Sequence, residues 1–272
     1  MLENILTGQK KGRRFLFLLL VLSLVFVCPV LAQAKNQWVT RSEGDMYLKK
    51  GKAVTGVVKI GKKTYYFDPE GIQRTGWRKI HNKYYFYKQG RKKKGYLLTN
   101  RRIDGIWVGK DGKADASSAS ARRKLSLMVQ CQKVVEQVTQ VSQSKASKRE
   151  TLFRFMMNNY KGQAIPSLEA RADLDVAYAQ FLISNQVGDC YAFGSLYAYF
   201  LNAIGYDNPL FVCSGGHGWA EEGSRIYDPH WARIIGFDLC YDVPFSLSGQ
   251  NGRPKWASNR LYIYAVNDAP RG

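Results

Sequence analysis

The stretch GDCYAFGSLYAYFLNAIGYD, residues 188–207, sets a cysteine directly behind Gly188 and Asp189 at the head of a helix-like run. Ala192, Leu196, Phe200 and Ala203 recur at i, i+4, i+8 and i+11, an apolar stripe on one helix. Gly205 is placed to end that helix, Asp189 to cap it, and Cys190 to be its first residue. A thiol at that position meets unpaired backbone N–H groups and the positive end of the helix. Both favour thiolate and can stabilise an oxyanion forming beside the sulfur. Cys190 is therefore either a structural thiol or a nucleophile whose partners lie downstream.

Downstream, PLFVC (209–213) reads as a strand, SGG as a turn, and HGWAEE (217–222) as a second strand. Gly223-Ser224 is a tight connection, and RIYDPHW (225–231) brings the chain back. Such a hairpin lets His217 and Asp228 meet across adjacent strands. Thiol, imidazole and carboxylate then make a nucleophile, a base and an orienter. The other two histidines, His81 in the basic half and His230 after the Asp-Pro turn, read as surface or structural. A metal site would need more ligands than Cys190, His217 and Asp228 supply, so no metal and no cofactor is expected.

Gly188-Asp189-Cys190, His217-Gly218-Trp219 and Asp228-Pro229, in that order, resemble the transglutaminase-like domain family, a branch of the papain-like cysteine proteins. The resemblance spans about residues 121–267 and is strongest from Gly188 to Trp231. It implies an α+β fold, a papain-like transglutaminase core with a helical start and an antiparallel sheet. It also implies catalytic roles: Cys190 as nucleophile, His217 as base, Asp228 as orienter. Trp219 would pack against the active-site wall. Gln186, polar and close upstream, is a candidate for supporting the oxyanion hole, or else a surface glutamine near a turn. The chemistry implied is acyl transfer from an amide to water or to an amine. The expected function is a peptidase or amidase, with cross-linking transglutaminase or a non-catalytic wall-binding adhesin or scaffold as alternatives.

Toward the N-terminus the pattern turns helical. KLSLMVQCQKVVEQVTQVS (124–142) carries Leu125, Met128, Val129, Val134, Val135 and Val138 at helical spacings, with Cys131 a quiet residue among them. A second helix is expected over about 148–160 and a shorter one over about 177–183. DGKADASSASARRK (111–124), rich in Ala and Ser, reads as a boundary. The division is 1–34 leader, 35–114 repeats, 115–124 linker and 125–272 transglutaminase-like domain.

The first half repeats itself. TGVVKIGKKTYYFDPEG from Thr55, TGWRKIHNKYYFYKQG from Thr75 and KGYLLTNRRIDGIWVGKDG from Lys94 follow one another at spacings of 20 and 19 residues. Each reads as a small β-hairpin that must stack on its neighbours to bury an aromatic face. The units resemble the cell-wall-binding and glucan-binding repeats of Gram-positive surface proteins. By that resemblance Tyr65, Tyr66, Trp77, Tyr84, Tyr85 and Trp107 are candidate wall- or glycan-binding residues, with core packing of the aromatic strands as the alternative. Aromatic faces attract quaternary ammonium, but only Trp77 occupies the Gly-Trp position, so a complete choline cage is not expected. Lys62, Lys63, Arg78, Lys79 and the run at 91–94 point to an anionic wall polymer or glycan.

Charge supports that division. Residues 35–118 hold 21 Lys/Arg against 7 Asp/Glu, a net of +14, while 119–272 hold 16 against 13, a net of +3. Lys10, Lys11, Arg13 and Arg14 precede a 17-residue apolar run and Ala32-Gln33-Ala34, the order of a secretory signal peptide cleaved after Ala34. An uncleaved membrane anchor is the alternative. Export argues against nucleic acid as partner and for a protein or peptide substrate at the cell wall. After cleavage four cysteines remain, Cys131, Cys190, Cys213 and Cys240; if Cys190 is free, Cys213–Cys240 is the candidate disulfide, with four reduced thiols as the alternative.

Overall fold

Left-handed backbone at the turns makes the hairpins. A computed structural model describes residues 35–90, 95–166, 168 and 172–267, so the expected leader at 1–34 and the basic run at 91–94 fall outside the described residues. A hairpin that the repeat pattern does not reveal comes first: β1 (Gln37–Arg41) pairs with β2 (Gly44–Lys49), which pairs with β3 (Lys52–Ala53). Then β4 (Gly56–Ile60) pairs with β5 (Lys63–Phe67) and β6 (Gln73–Arg74) beyond it, and β7 (Gly76–Ile80) with β8 (Lys83–Tyr87). The third unit is β9 (Arg101–Ile103) against β10 (Ile106–Val108). His81-Asn82 and Asp104-Gly105 all have positive φ (45°, 61°, 52° and 78°), as a two-residue type I′ turn requires at both central positions.

The hairpins stack through their aromatic strands. Trp38 packs on Tyr47, Tyr65 and Phe67 with ring centroids 5.3, 5.1 and 5.7 Å away, and Tyr66 meets Tyr87 of the next unit at 5.9 Å. Stacking also turns side chains inward that the sequence offered as ligand contacts. Trp77 is only 2% exposed and Tyr65 7%. The Trp77 indole lies edge-on to Phe86 at 5.2 Å and donates to Asp104 Oδ2 at 2.7 Å. Both residues are packing elements here, because a small hairpin closes its core by pooling its few large aromatic side chains.

Nor do the repeats stand apart from the helices. Trp77, Phe86, Leu98, Ile103 and Val108 belong to one buried cluster with the helical half of the chain. Arg78, expected to face an anionic polymer, is buried instead and forms a forked ion pair with Glu136, its Nη1 2.9 Å from Oε2. Gln89 donates to the Ala203 carbonyl at 2.6 Å.

The expected linker is mostly helix. Ser118 caps α1 (Ala119–Val138) by accepting from Ala121 N at 3.0 Å, so residues 119–124 are its first turns. Ala and Ser at 116–121 carry no apolar period, yet Ser is a good N-cap and Ala the best helix former, so the same composition serves a helix start. Next come α2 (Lys145–Asn159), capped by Ser144, then β11 (Lys161–Gly162) and α3 (Leu174–Asn185). β12 (Val187–Gly188) pairs in parallel with β11 and leads into α4 (Cys190–Ala203).

α4 is the central element. Every residue from 192 to 203 is buried, so the apolar stripe understates it: the helix is enclosed on all sides. Its polar side chains are satisfied internally. Ser195 donates to the Asp175 carbonyl at 2.6 Å, Tyr199 to Asp175 Oδ2 at 2.8 Å and Tyr197 to the Arg149 carbonyl at 2.9 Å. Gly205 (φ 90°) ends the run as expected.

An antiparallel sheet covers one side of α4. β13 (Leu210–Cys213), β14 (Gly218–Glu222) and β15 (Arg225–Tyr227) follow in sequence, then the short helices α5 (Ala232–Ile235) and α6 (Phe237–Cys240). β16 (Val243–Pro244) and β17 (Tyr262–Ala265) complete the order β16-β15-β14-β13-β17. The described cysteines are all free, so the expected Cys213–Cys240 bridge is absent. Cys213 lies on β13, whereas the Cys240 carbonyl accepts from Asp228 N just beyond β15. Two strand spacings, about 9.6 Å, separate β13 from β15, beyond the Cα separation of about 7 Å that a disulfide tolerates.

Since Trp77 belongs to the core shared with the helices, Trp77→Ala is expected to cost about 3–5 kcal/mol. Urea unfolding followed by Trp fluorescence and by far-UV circular dichroism should give coincident, destabilised transitions. Loss of the repeats alone, with the helical half unchanged, would contradict the shared core.

Candidate functional site

Two glycines bring the head of α4 against β14. A Cβ at Gly194 would lie 2.7 Å from Trp219 Cα, and one at Gly218 would lie 2.9 Å from Tyr191 Cα. Without those atoms the backbones touch, and Cys190 lies beside His217, the residue just before β14. Asp189 caps the helix as expected, accepting from Ala192 N at 3.1 Å, and Cys190 is partly exposed at its tip.

The β14–β15 register pairs Ala220 with Tyr227. Extending it sets Asp228 opposite Trp219 and diagonal to His217, a distance that long side chains span across an antiparallel pair. His217 Nε2 and Asp228 Oδ2 are 2.5 Å apart. That leaves Nδ1 as the ring nitrogen for a second partner, and the Cys190 side chain stands within hydrogen-bonding reach of the ring. The three residues singled out by sequence are thus brought together by the close packing of one helix and one hairpin.

The ring is held on every side. Trp219 stacks along it at 6.1 Å and Trp231 tilts against it at 5.1 Å. Ser214 accepts from His217 N at 3.0 Å and fixes its backbone. Asp228, wholly buried, also accepts from Trp256 Nε1 at 2.9 Å and from Trp231 N at 2.9 Å. Burial by itself depresses the His217 pKa, but the hydrogen bonds to Asp228 and Cys190 outweigh it and push the value up to about 9. The ring therefore carries its proton at neutral pH.

Trp256 and His230 are the site residues that sequence reasoning missed. Trp256 comes from an aperiodic Gly/Pro/Ser segment with nothing to mark it. His230 is half-buried against Phe193, ring centroids 5.3 Å apart, with its Nδ1 enclosed and unpartnered. Gln186 is exposed at the left-handed end of α3, where its carbonyl accepts from Lys161 N at 2.9 Å.

Among the candidate wall contacts, Tyr66, Tyr84 and Tyr85 are half-buried and Trp107 is 45% exposed. Trp107 borders a cavity of about 340 Å³ with Arg102, Asp115, Ser118 and Lys124, at the seam between the third hairpin and α1. Lys63 Nζ sits 3.9 Å over the Tyr96 ring, so an internal ammonium already covers that aromatic face.

Residues 54–101 match the choline-binding repeat family. Among solved structures, choline-binding protein F from Streptococcus pneumoniae, in the presence of a peptidoglycan analogue, is 29% identical with a TM-score of 0.27. That match covers 30% of this chain and 26% of that one, so the chain spans about a quarter of its relative. The choline-binding domain of Spr1274 from the same organism is 23% identical over 30% of this chain and 95% of that one, TM-score 0.26. The multimodular pneumococcal cell-wall endolysin from phage Cp-1, complexed with choline, is 26% identical over 29% and 24%, TM-score 0.26. No curated protein matches the chain.

Because the His217 pKa is raised, its pairing with Asp228 stabilises the fold fully below about pH 6.5 and loses that contribution as pH rises through about 9. The stability difference between wild type and Asp228→Asn, from urea titrations between pH 6 and 10, is expected to shrink across that window. A difference independent of pH would rule out a charged His217 bonded to Asp228.

Proposed function

We propose that this is an extracellular cell-wall-binding protein whose second half is a cysteine-dependent acyl-transfer enzyme. The wall-binding part is supported by the choline-binding repeat match at residues 54–101 and by the excess basic charge of that half. The catalytic part is carried by one observation: an imidazole bonded to a buried carboxylate and within reach of a thiol at a helix N-terminus. In the proposed cycle Cys190 attacks an amide carbonyl, and His217 gives its proton to the departing nitrogen. A thioester remains. Water, deprotonated by His217, then releases the acid; an amine in its place would give a cross-link. The backbone N–H groups of the first turn of α4 would hold the oxyanion.

The reading without catalysis is a wall-binding adhesin or scaffold, and a specific observation favours it: the family match lies wholly within the repeats. Alkylation separates the two. With iodoacetamide at neutral pH, Cys190 is expected to react at least tenfold faster than Cys131, Cys213 and Cys240, and His217→Ala is expected to abolish the preference. Equal reactivity of the four cysteines would leave only the binding role.

Wall attachment has its own test. Sedimentation with purified Gram-positive cell walls should be weakened several-fold by Trp107→Ala, with stability unchanged because the side chain is exposed. Retention of full binding by that variant would place the contact elsewhere in the repeats.

A further inference from the structure

The turn from Asp228 to Arg233 packs against the first turn of α4. Asp228 holds the turn by accepting from Trp231 N at 2.9 Å through its side chain and from Ala232 N at 3.0 Å through its carbonyl. Beyond the orienting carboxylate the turn brings two more polar side chains to the head of α4. His230 packs on Phe193, and the Arg233 guanidinium lies 5.7 Å over the same ring. Phe193 is three residues along the helix from Cys190, hence its neighbour on the same side.

Gly162 fixes where those groups lie. It pairs with Gly188, two residues before Cys190, and a Cβ there would lie 2.8 Å from Arg233 Nη1 and 3.1 Å from His230 Nε2. Its φ is ordinary, so what the position needs is the space that a missing side chain leaves. Arg233 is exposed, and no carboxylate among the described residues pairs with it. A guanidinium is always charged and matches a carboxylate through paired N–H groups. Burial lowers the His230 pKa, so its ring is neutral and offers a single N–H beside that cation.

We infer that Gly162, His230 and Arg233 form a carboxylate-binding subsite next to the thiol, so that the acyl donor is an acidic peptide with a carboxylate flanking the scissile amide. The inference rests on the thiol-centre reading and adds the class of substrate to it. Nothing in the sequence motif around Cys190 foretells it, because the subsite is assembled from two segments distant in the chain.

Iodoacetate and iodoacetamide deliver the same group to a thiol and differ in the carboxylate. Their rates of reaction at Cys190 in the full chain, read by mass mapping, therefore report on the subsite. In Arg233→Gln the iodoacetate rate is expected to fall about tenfold, from loss of the charged partner of its carboxylate, while the iodoacetamide rate changes less than twofold. Lys59→Gln, which removes a charge from the repeats, should leave both rates unchanged. An iodoacetate-to-iodoacetamide ratio that is insensitive to Arg233→Gln, or that falls as much in Lys59→Gln, overturns the subsite while the thiol centre stands. A Cys190 no faster than the other cysteines toward iodoacetamide overturns the thiol centre and the subsite with it.

Discussion

The close approach of α4 and β14 is the constraint on which the site depends. Gly194 lies against the backbone of Trp219, and Gly218 against that of Tyr191, at separations where a Cβ could not fit. A methyl group at either position would push helix and strand apart, and a thiol–imidazole contact tolerates little displacement. The same contact explains the composition of α4. A helix enclosed on all sides must satisfy its hydroxyls internally, and Ser195, Tyr197 and Tyr199 do so on α3 and α2.

Asp228 is the second constraint. A fully buried carboxylate is costly unless its oxygens are occupied. Here His217, the Trp256 indole and the Trp231 amide occupy them. Three parts of the chain thus converge on one side chain, and the residues that orient the imidazole also close the core beneath it. Trp219 and Trp231 flank the ring, limiting its rotation about the bond to Asp228.

The repeats and the helical half share side chains rather than a flexible joint. Trp77 and Arg78 look inward, to Asp104 and to Glu136, and Gln89 reaches the end of α4. In such an arrangement the hairpins are held at a set orientation to the thiol. The cost to the repeats is binding surface: aromatic faces used to close small hairpins are not free for a ligand, which leaves Trp107 as the most exposed of the candidate contacts.

Local chemistry made much of this legible. Asp189 before Cys190, Gly205 after Ala203, the Gly223-Ser224 turn and the recurring YYF units are short-range signals, and each element formed where its signal lies. The spacing of His217 and Asp228 also carries information, since a two-residue turn fixes the register of the strands beside it. Trp77 and Arg78 were misread because an aromatic strand looks the same whether its face meets a ligand or a neighbour; only the packing of α1 distinguishes them. The Cys213–Cys240 bridge failed for a similar reason, since strand order within a sheet is not written in the spacing of cysteines. Trp256 and Arg233 were silent because their meaning lies in a distance through space. By itself the sequence determined the turns, the caps and the identity of the thiol, imidazole and carboxylate. The tertiary structure alone decided which of them touch and what surrounds them, because burial and close backbone approach are properties of segments far apart in the chain.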